Sequence, residues 1–172
     1  NIPYFQTPCP SGTWQNQTGQ TGCIDAPPGH MSPGTGNSVP QQCGPGYWQD
    51  LPRQASCKPA DEGHYASGFA ATTQTPCSVG TYMPYTGRSN CYNSGFGYFV
   101  NTTASVSQTP CPIGTWQNQT GQTSCIDASP GHFAQQEGTV EQIPCSPGTW
   151  QNRSGMGWCN YADVGHYSIG PG

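Results

Sequence analysis

The chain has 172 residues and a formal net charge of −4, from four Lys and Arg against eight Asp and Glu. Four basic residues cannot neutralise a nucleic-acid backbone, so the composition excludes nucleic-acid binding. Gly (24) and Pro (18) are abundant, and Leu51 is the single leucine, so a conventional aliphatic core is excluded as well.

Ten cysteines follow one another at a 14-residue and then a 20-residue spacing in strict alternation, which gives a 34-residue period. Self-similarity at a fixed period is typical of a linear array in which each unit contacts its neighbours. We therefore divide the chain into the end of a preceding repeat (1–8), four repeats (9–42, 43–76, 77–110 and 111–144) and a truncated fifth repeat (145–172). Both ends cut the pattern in mid-repeat, and we expect a longer parent protein.

Glycines recur on a 17-residue grid, at half that period, and a large apolar side chain follows two positions after each, from Gly12 and Trp14 to Gly165 and Tyr167. β-favouring residues bounded by turn formers predict short strands in runs such as 12–16 and 63–65. No segment has the apolar periodicity of a helix. We predict an all-β, partly irregular, disulfide-rich fold: an elongated linear array of short β-hairpins, two 17-residue halves to each 34-residue unit.

Regular cysteines in a chain without a core are typical of disulfides in an oxidising, extracellular environment. Pairing across the 20-residue spacing leaves Cys9 and Cys159 unpaired unless the chain continues beyond both ends. Pairing across the 14-residue spacing uses all ten, and each loop would contribute about 3 kcal/mol. We favour this second scheme, with the pairs Cys9–Cys23, Cys43–Cys57, Cys77–Cys91, Cys111–Cys125 and Cys145–Cys159.

Four asparagines satisfy the N-glycosylation pattern Asn-x-Ser/Thr: Asn16, Asn101, Asn118 and Asn152. Three of them share one position of the 34-residue repeat, two residues after a tryptophan. We expect N-linked sugars on all four asparagines, three of them on this recurring surface, and no cofactor besides such covalently attached glycans. The alternative is that the sequons are a by-product of duplicating one Asn-containing unit.

Histidines recur at one repeat position, but neighbours lie a full unit apart and convergent carboxylates are lacking, so we predict structural histidines and no metal site. They are His30, His64, His132 and His166. No paired carboxylates or nucleophile motif are present, and no catalytic residue is assigned. No apolar run approaches the roughly 20 residues that span a bilayer.

The run Pro8-Cys9-Pro10-Ser11-Gly12-Thr13-Trp14, closed by Cys23, resembles the cysteine-rich repeats of the ephrin-receptor-like class, relatives of the tumour-necrosis-factor-receptor modules. That family continues with a Cys-x-x-Cys step. Here the second cysteine of the step is replaced by a small residue, so alternate halves lack a staple. The replacing residues are Ala26, Ala60, Ser94, Ala128 and Ala162. We expect these halves to be held by stacking on neighbouring halves or on another chain.

The leading hypothesis is that the chain is a non-enzymatic, secreted structural glycoprotein that self-associates into a homopolymeric filament, a cell-surface hair or a coat. The chain resembles the long repeat proteins of flagellar hairs, which favours this hypothesis. The alternative is a receptor or adhesin ectodomain that uses the repeats as a stalk for a protein or glycan ligand. We expect contacts between chains at 82–85, at 95–99 and at Trp158.

Overall fold

The structure, a computed structural model, describes residues 5–169. Within this range the chain has no helix, and eighteen two-residue strands pair into nine two-stranded antiparallel sheets. The strands are β1 (Thr13–Trp14), β2 (Ile24–Asp25), β3 (His30–Met31), β4 (Gln41–Gln42), β5 (Tyr47–Trp48), β6 (Lys58–Pro59), β7 (His64–Tyr65), β8 (Thr75–Pro76), β9 (Thr81–Tyr82), β10 (Tyr92–Asn93), β11 (Tyr98–Phe99), β12 (Thr109–Pro110), β13 (Thr115–Trp116), β14 (Ile126–Asp127), β15 (His132–Phe133), β16 (Ile143–Pro144), β17 (Thr149–Trp150) and β18 (Asn160–Tyr161). The predicted all-β, disulfide-rich class is confirmed.

Every sheet is a hairpin of successive strands with the same register. In the first, Thr13 is opposite Asp25 and Trp14 is opposite Ile24. In the next hairpin, His30 is opposite Gln42 in the same way. The first strand of each hairpin follows directly after a glycine of the 17-residue grid, because glycine allows the positive φ that turns the chain into the strand. The last glycine–x–aromatic step of the grid, Gly165-His166-Tyr167, forms no strand within the described residues.

The chain divides into two compact units. Among the described residues, the first comprises 5–76 with 85–91, and the second comprises 77–84 with 92–169. The predicted segment 1–8 and the predicted repeat 145–172 both extend beyond the described residues. The division into four 34-residue repeats and a truncated fifth therefore stays a prediction.

Small side chains and polar groups make up most of the interior of each unit. The first unit buries Ala26, Ser32, Cys43, Gln49 and Ala60 to an exposure of 2% or less. The second unit buries Met83, Ser94, Cys111, Ala128 and Ala134 completely. Because so little apolar area leaves water, hydrogen bonds and disulfides must supply much of what a core normally contributes.

Backbone hydrogen bonds connect each hairpin to the next within a unit. The N–H of Gly12 donates to the carbonyl of Ser32 at 2.7 Å, and that of Gly114 donates to Ala134 at 2.8 Å. Further along the first strand, the N–H of Gln15 donates to Asn37 at 3.0 Å. The same donors and acceptors recur at the 17-residue spacing, so the packing of one hairpin on another repeats with the sequence.

Disulfides join the residues that precede the two strands of alternate hairpins. Four of them span Cα atoms 5.7 to 5.8 Å apart: Cys9–Cys23, Cys43–Cys57, Cys111–Cys125 and Cys145–Cys159. Cys77 and Cys91 are disulfide-bonded as well. No cysteine of the described residues is free.

Glutamine takes the place of the disulfide in three of the unstapled hairpins. The Oε1 atoms of Gln74, Gln108 and Gln142 accept hydrogen bonds from the backbone N–H groups of Asp61 (2.7 Å), Gly95 (2.6 Å) and Ser129 (2.7 Å). Each glutamine lies where the second cysteine of a stapled hairpin would lie. We call this contact the glutamine clasp. The clasp adds to the stacking on neighbouring hairpins that the sequence leads us to expect for these halves.

Candidate functional site

All four sequon asparagines are exposed and lie two residues after the aromatic residue of a first strand. The 34-residue period placed three of them at equivalent positions. The hairpins place all four at one position, since Asn101 follows Phe99 as Asn118 follows Trp116. The sequence already contained this relationship, which becomes visible when the 17-residue hairpin is taken as the unit.

A glutamine braces the loop beside three of these asparagines. In the hairpin of β13 and β14, Gln117 Nε2 donates to the carbonyl of Ser124 at 3.0 Å, and Gln117 Oε1 accepts from the N–H of Gln119 at 3.1 Å. Gln15 and Gln151 make the equivalent pairs of bonds. We call this pair of bonds the glutamine brace. It holds the turn, while the asparagine that directly follows the bracing glutamine stays exposed.

The loop that carries Asn101 is held differently. Val100, 3% exposed, occupies the place of the bracing glutamine. Ser105 Oγ donates to the carbonyl of Thr102 at 2.8 Å, and it lies 2.8 Å from the hydroxyl of the same threonine. The four candidate glycan sites thus share an exposed position on ordered turns of two kinds.

The second-strand residues that lie opposite the aromatic residue of each first strand form a second recurring surface. Lys58, opposite Trp48, places its ammonium group 4.8 Å from the indole ring centre and 2.6 Å from Asp50. Tyr82 and Tyr92 meet edge to face with ring centres 6.1 Å apart. In other hairpins the position is apolar and exposed, as at Ile24, Ile126 and Ile143.

The residues expected to contact other chains are only partly available for it. Tyr85, Phe96 and Trp158 are 54%, 59% and 58% exposed. Met83, by contrast, is fully buried. The expectation of an exposed 82–85 cluster is therefore wrong for Met83, because this residue occupies the buried position that the bracing glutamine fills elsewhere.

The histidines lie against their own backbone. The Nδ1 atoms of His30 and His64 are 3.2 and 3.1 Å from carbonyl oxygens two residues earlier, and those of His132 and His166 are each 3.4 Å from theirs. Over residues 5–169 no group of three His, Cys, Asp or Glu side chains converges as a metal site would need. In the same range no helix is long and apolar enough to cross a bilayer.

Tandem disulfide-stapled hairpins define a cysteine-rich repeat protein. Residues 97–143 match the family described as tyrosine-protein kinase ephrin type A/B receptor-like, which confirms the resemblance inferred from the cysteine pattern. The matched stretch contains the Cys111–Cys125 disulfide and the Asn118 sequon. A comparison with curated proteins found no match. The disulfides and this receptor-like family together indicate an extracellular location.

Proposed function

We propose that this chain is part of an extracellular structural glycoprotein whose repeats stack into a filament, a cell-surface hair or a coat. The observation that carries the proposal is a backbone contact that recurs between a hairpin and the second hairpin after it. Gly12, Gly97 and Gly114 leave no room for a side chain, because a backbone carbonyl of a later hairpin lies against each of them. This backbone contact depends on glycine at the grid position, so it can recur wherever the glycine grid continues.

The sequons support the glycoprotein part of the proposal. Sugars on Asn16, Asn101, Asn118 and Asn152 would project from one position of the hairpin. With only 12 charged residues (four basic, eight acidic), the chain has few ionic groups to keep its surface hydrated. Hydroxyl-rich glycans would fill that role, since glycosylation at Asn-x-Ser/Thr is bulky and solubilising.

Exposed apolar residues on the second strands support self-association. Ile24, Tyr92 and Ile126 are 45%, 43% and 44% exposed and lie at equivalent positions. Apolar side chains exposed at one position of several hairpins suit lateral contact between identical chains, since a heterologous contact that does not close generates a filament.

Negative-stain electron microscopy of the secreted protein tests this function. We expect filaments that persist at neutral pH and dissociate when a reductant cleaves the disulfides. Uniform single particles at every concentration, together with a monomeric mass in solution, would reject assembly.

A receptor or adhesin stalk is the second candidate, and the ephrin-receptor-like match favours it. The exposed rings of Tyr85, Phe96 and Trp158 would then be ligand contacts. In that case the microscopy shows single particles, and a protein or glycan ligand protects these three side chains from solvent.

A further inference from the structure

One hairpin carries two exposed tryptophans beside a sequon. In the hairpin of β17 and β18, Trp150 and Trp158 are 37% and 58% exposed. They line a hollow of about 300 Å³ together with Asn152, Arg153, Met156 and Asn160. This size lies at the lower end of the range for small-molecule sites. The candidate glycan site Asn152 therefore lies at an aromatic hollow of its own hairpin.

The two walls of this hollow, which we call the tryptophan hollow, are fixed by hydrogen bonds. Trp150 Nε1 donates to the carbonyl of Tyr161 at 3.2 Å. The backbone carbonyl of Trp158 accepts from Gln151 Nε2 at 3.1 Å, so the glutamine brace fixes the backbone that carries the second tryptophan. The indole faces are thus presented by an ordered turn, which lowers the entropy cost of binding.

Asn152 is the one sequon of the sequence whose hairpin has two tryptophans. In the hairpin of β13 and β14, which carries Asn118, the positions of Trp158 and Asn160 hold Ser124 and Ile126. Trp158 and Asn160 are therefore local departures from the repeat, and duplication does not account for them.

We propose that the tryptophan hollow seats the first N-acetylhexosamine residues of a glycan attached to Asn152. This inference rests on the proposed glycosylation of the chain. The C–H face of a pyranose ring is apolar and its rim carries hydroxyl and amide groups. The indoles of Trp150 and Trp158 fit the face, whereas Arg153 and Asn160 supply hydrogen-bond donors for the rim.

Geometry favours the protein's own glycan over a free sugar. Asn152 follows Trp150 by two residues and lines the hollow together with it. A sugar linked to Asn152 is therefore already at the hollow. Its effective concentration is high, whereas a free sugar must be captured from solution.

The test uses the full chain secreted from a eukaryotic cell and trimmed enzymatically to one N-acetylglucosamine at each occupied site. Mass spectrometry first establishes occupancy at Asn152. NMR then compares the sugar on Asn152 with the sugar on Asn118. We expect nuclear Overhauser contacts between the Asn152 sugar and the Trp158 ring, and ring-current shifts of its protons that the Asn118 sugar lacks.

Trp158→Ser is the matched variant, because serine already occupies this position in the hairpin of Asn118. It should abolish the contacts to residue 158 and reduce the shifts, with the disulfides and melting temperature unchanged. An occupied Asn152 whose sugar behaves like that on Asn118 would overturn the proposed seat and leave the glycosylation standing. An unmodified Asn152 would refute glycosylation at that site. Contacts that appear only at high protein concentration would assign the hollow to a second copy and also overturn the proposal.

Discussion

The backbone carbonyl of Gly155 lies against Gly114, in the space that a Cβ atom on that residue would fill. Gly114 also has a φ of +91°, which L-residues with a side chain rarely adopt. Gly97 and Gly138 repeat the relationship one hairpin earlier. Glycine is therefore needed at these positions for two reasons. The turn before the first strand requires a positive φ, and the carbonyl of a later hairpin fills the space of a Cβ atom.

Gly114→Ala should destabilise the protein by about 3 kcal/mol, from left-handed strain and overlap with the Gly155 carbonyl together. Gly68→Ala is the control. Gly68 has a similar φ of +80°, but a Cβ there meets nothing within 4 Å. It should cost only the conformational strain, about 1–2 kcal/mol. Denaturant unfolding of the oxidised proteins, followed by tryptophan fluorescence, measures both. Equal losses would refute the packing argument.

A second glycine position recurs in the hairpin loops at the 17-residue spacing, and other residues occupy it in three places. Arg53, Ala70 and Ala104 have φ values of 61°, 56° and 54°, whereas Gly121 fills the equivalent place in a neighbouring loop with φ 73°. Ala104→Gly should stabilise the protein by about 0.5–1 kcal/mol, because relief of left-handed strain exceeds the entropy cost of glycine.

The reverse substitution, Gly121→Ala, should destabilise by a similar amount. Its new Cβ would meet the Asn93 side chain no closer than 3.6 Å, so conformational strain dominates. The shift of the urea midpoint at constant slope is the measurement. A loss of stability in Ala104→Gly would contradict the assignment of strain to this position.

The glutamine clasp and the disulfide occupy equivalent sites, so one should be convertible into the other. In the double variant Ala128→Cys/Gln142→Cys we expect a sixth disulfide and a gain of about 3 kcal/mol. Ala128 is fully buried, as is Cys111 at the equivalent site of the preceding hairpin. Mass spectrometry after thiol alkylation, with thermal unfolding, tests the result.

The selectively reduced double variant serves as control for the clasp. It should be less stable than the parent by about 1 kcal/mol, because the N–H of Ser129 loses its bond to Gln142. If both introduced thiols remain free under oxidising conditions, the two sites are not equivalent.

The glutamine brace should matter for the loop that carries Asn118. Gln117→Met keeps the side-chain length but removes two hydrogen bonds, and we expect a loss of about 1–2 kcal/mol. Hydrogen exchange of the Gln119 amide should accelerate. Thr123→Ala, an exposed change in the same loop, should leave both quantities unaltered. Unchanged exchange at Gln119 in the methionine variant would show that the loop does not depend on the brace.

The hydrogen bond from Lys58 lowers the pKa of Asp50 below its usual value of 3.8. A lowered pKa in the folded state means that the pair contributes stability above pH 3.8 and loses it as the pH falls through the folded-state pKa. Both side chains are exposed, so the contribution is small and sensitive to salt. Carboxyl NMR titration should show Asp50 returning towards 3.8 in Lys58→Gln. The same Asp50 pKa in the parent and in Lys58→Gln would show that the hydrogen bond from Lys58 does not form in solution.

Much of the local structure could be predicted from particular residues. Gly12 and Trp14 predicted the first strand of a hairpin, and the structure has β1 there. The equivalence of Asn101 with Asn118 could have been predicted too, since it needs only the 17-residue period. The burial of Met83 could not be predicted, because an apolar residue in a polar loop is compatible with either a surface contact or an interior position.

The sequence by itself determined the class of fold, because its spacing of cysteine, glycine and aromatic residues allows turns and staples at regular intervals and leaves no apolar run for a core. Only the tertiary structure decided what holds the unstapled hairpins and why the glycines are needed. The contact of Gly114 with Gly155 and the bond of Gln142 to Ser129 join residues 41 and 13 positions apart. Such contacts depend on how hairpins pack in space, and residue identity alone does not specify that packing.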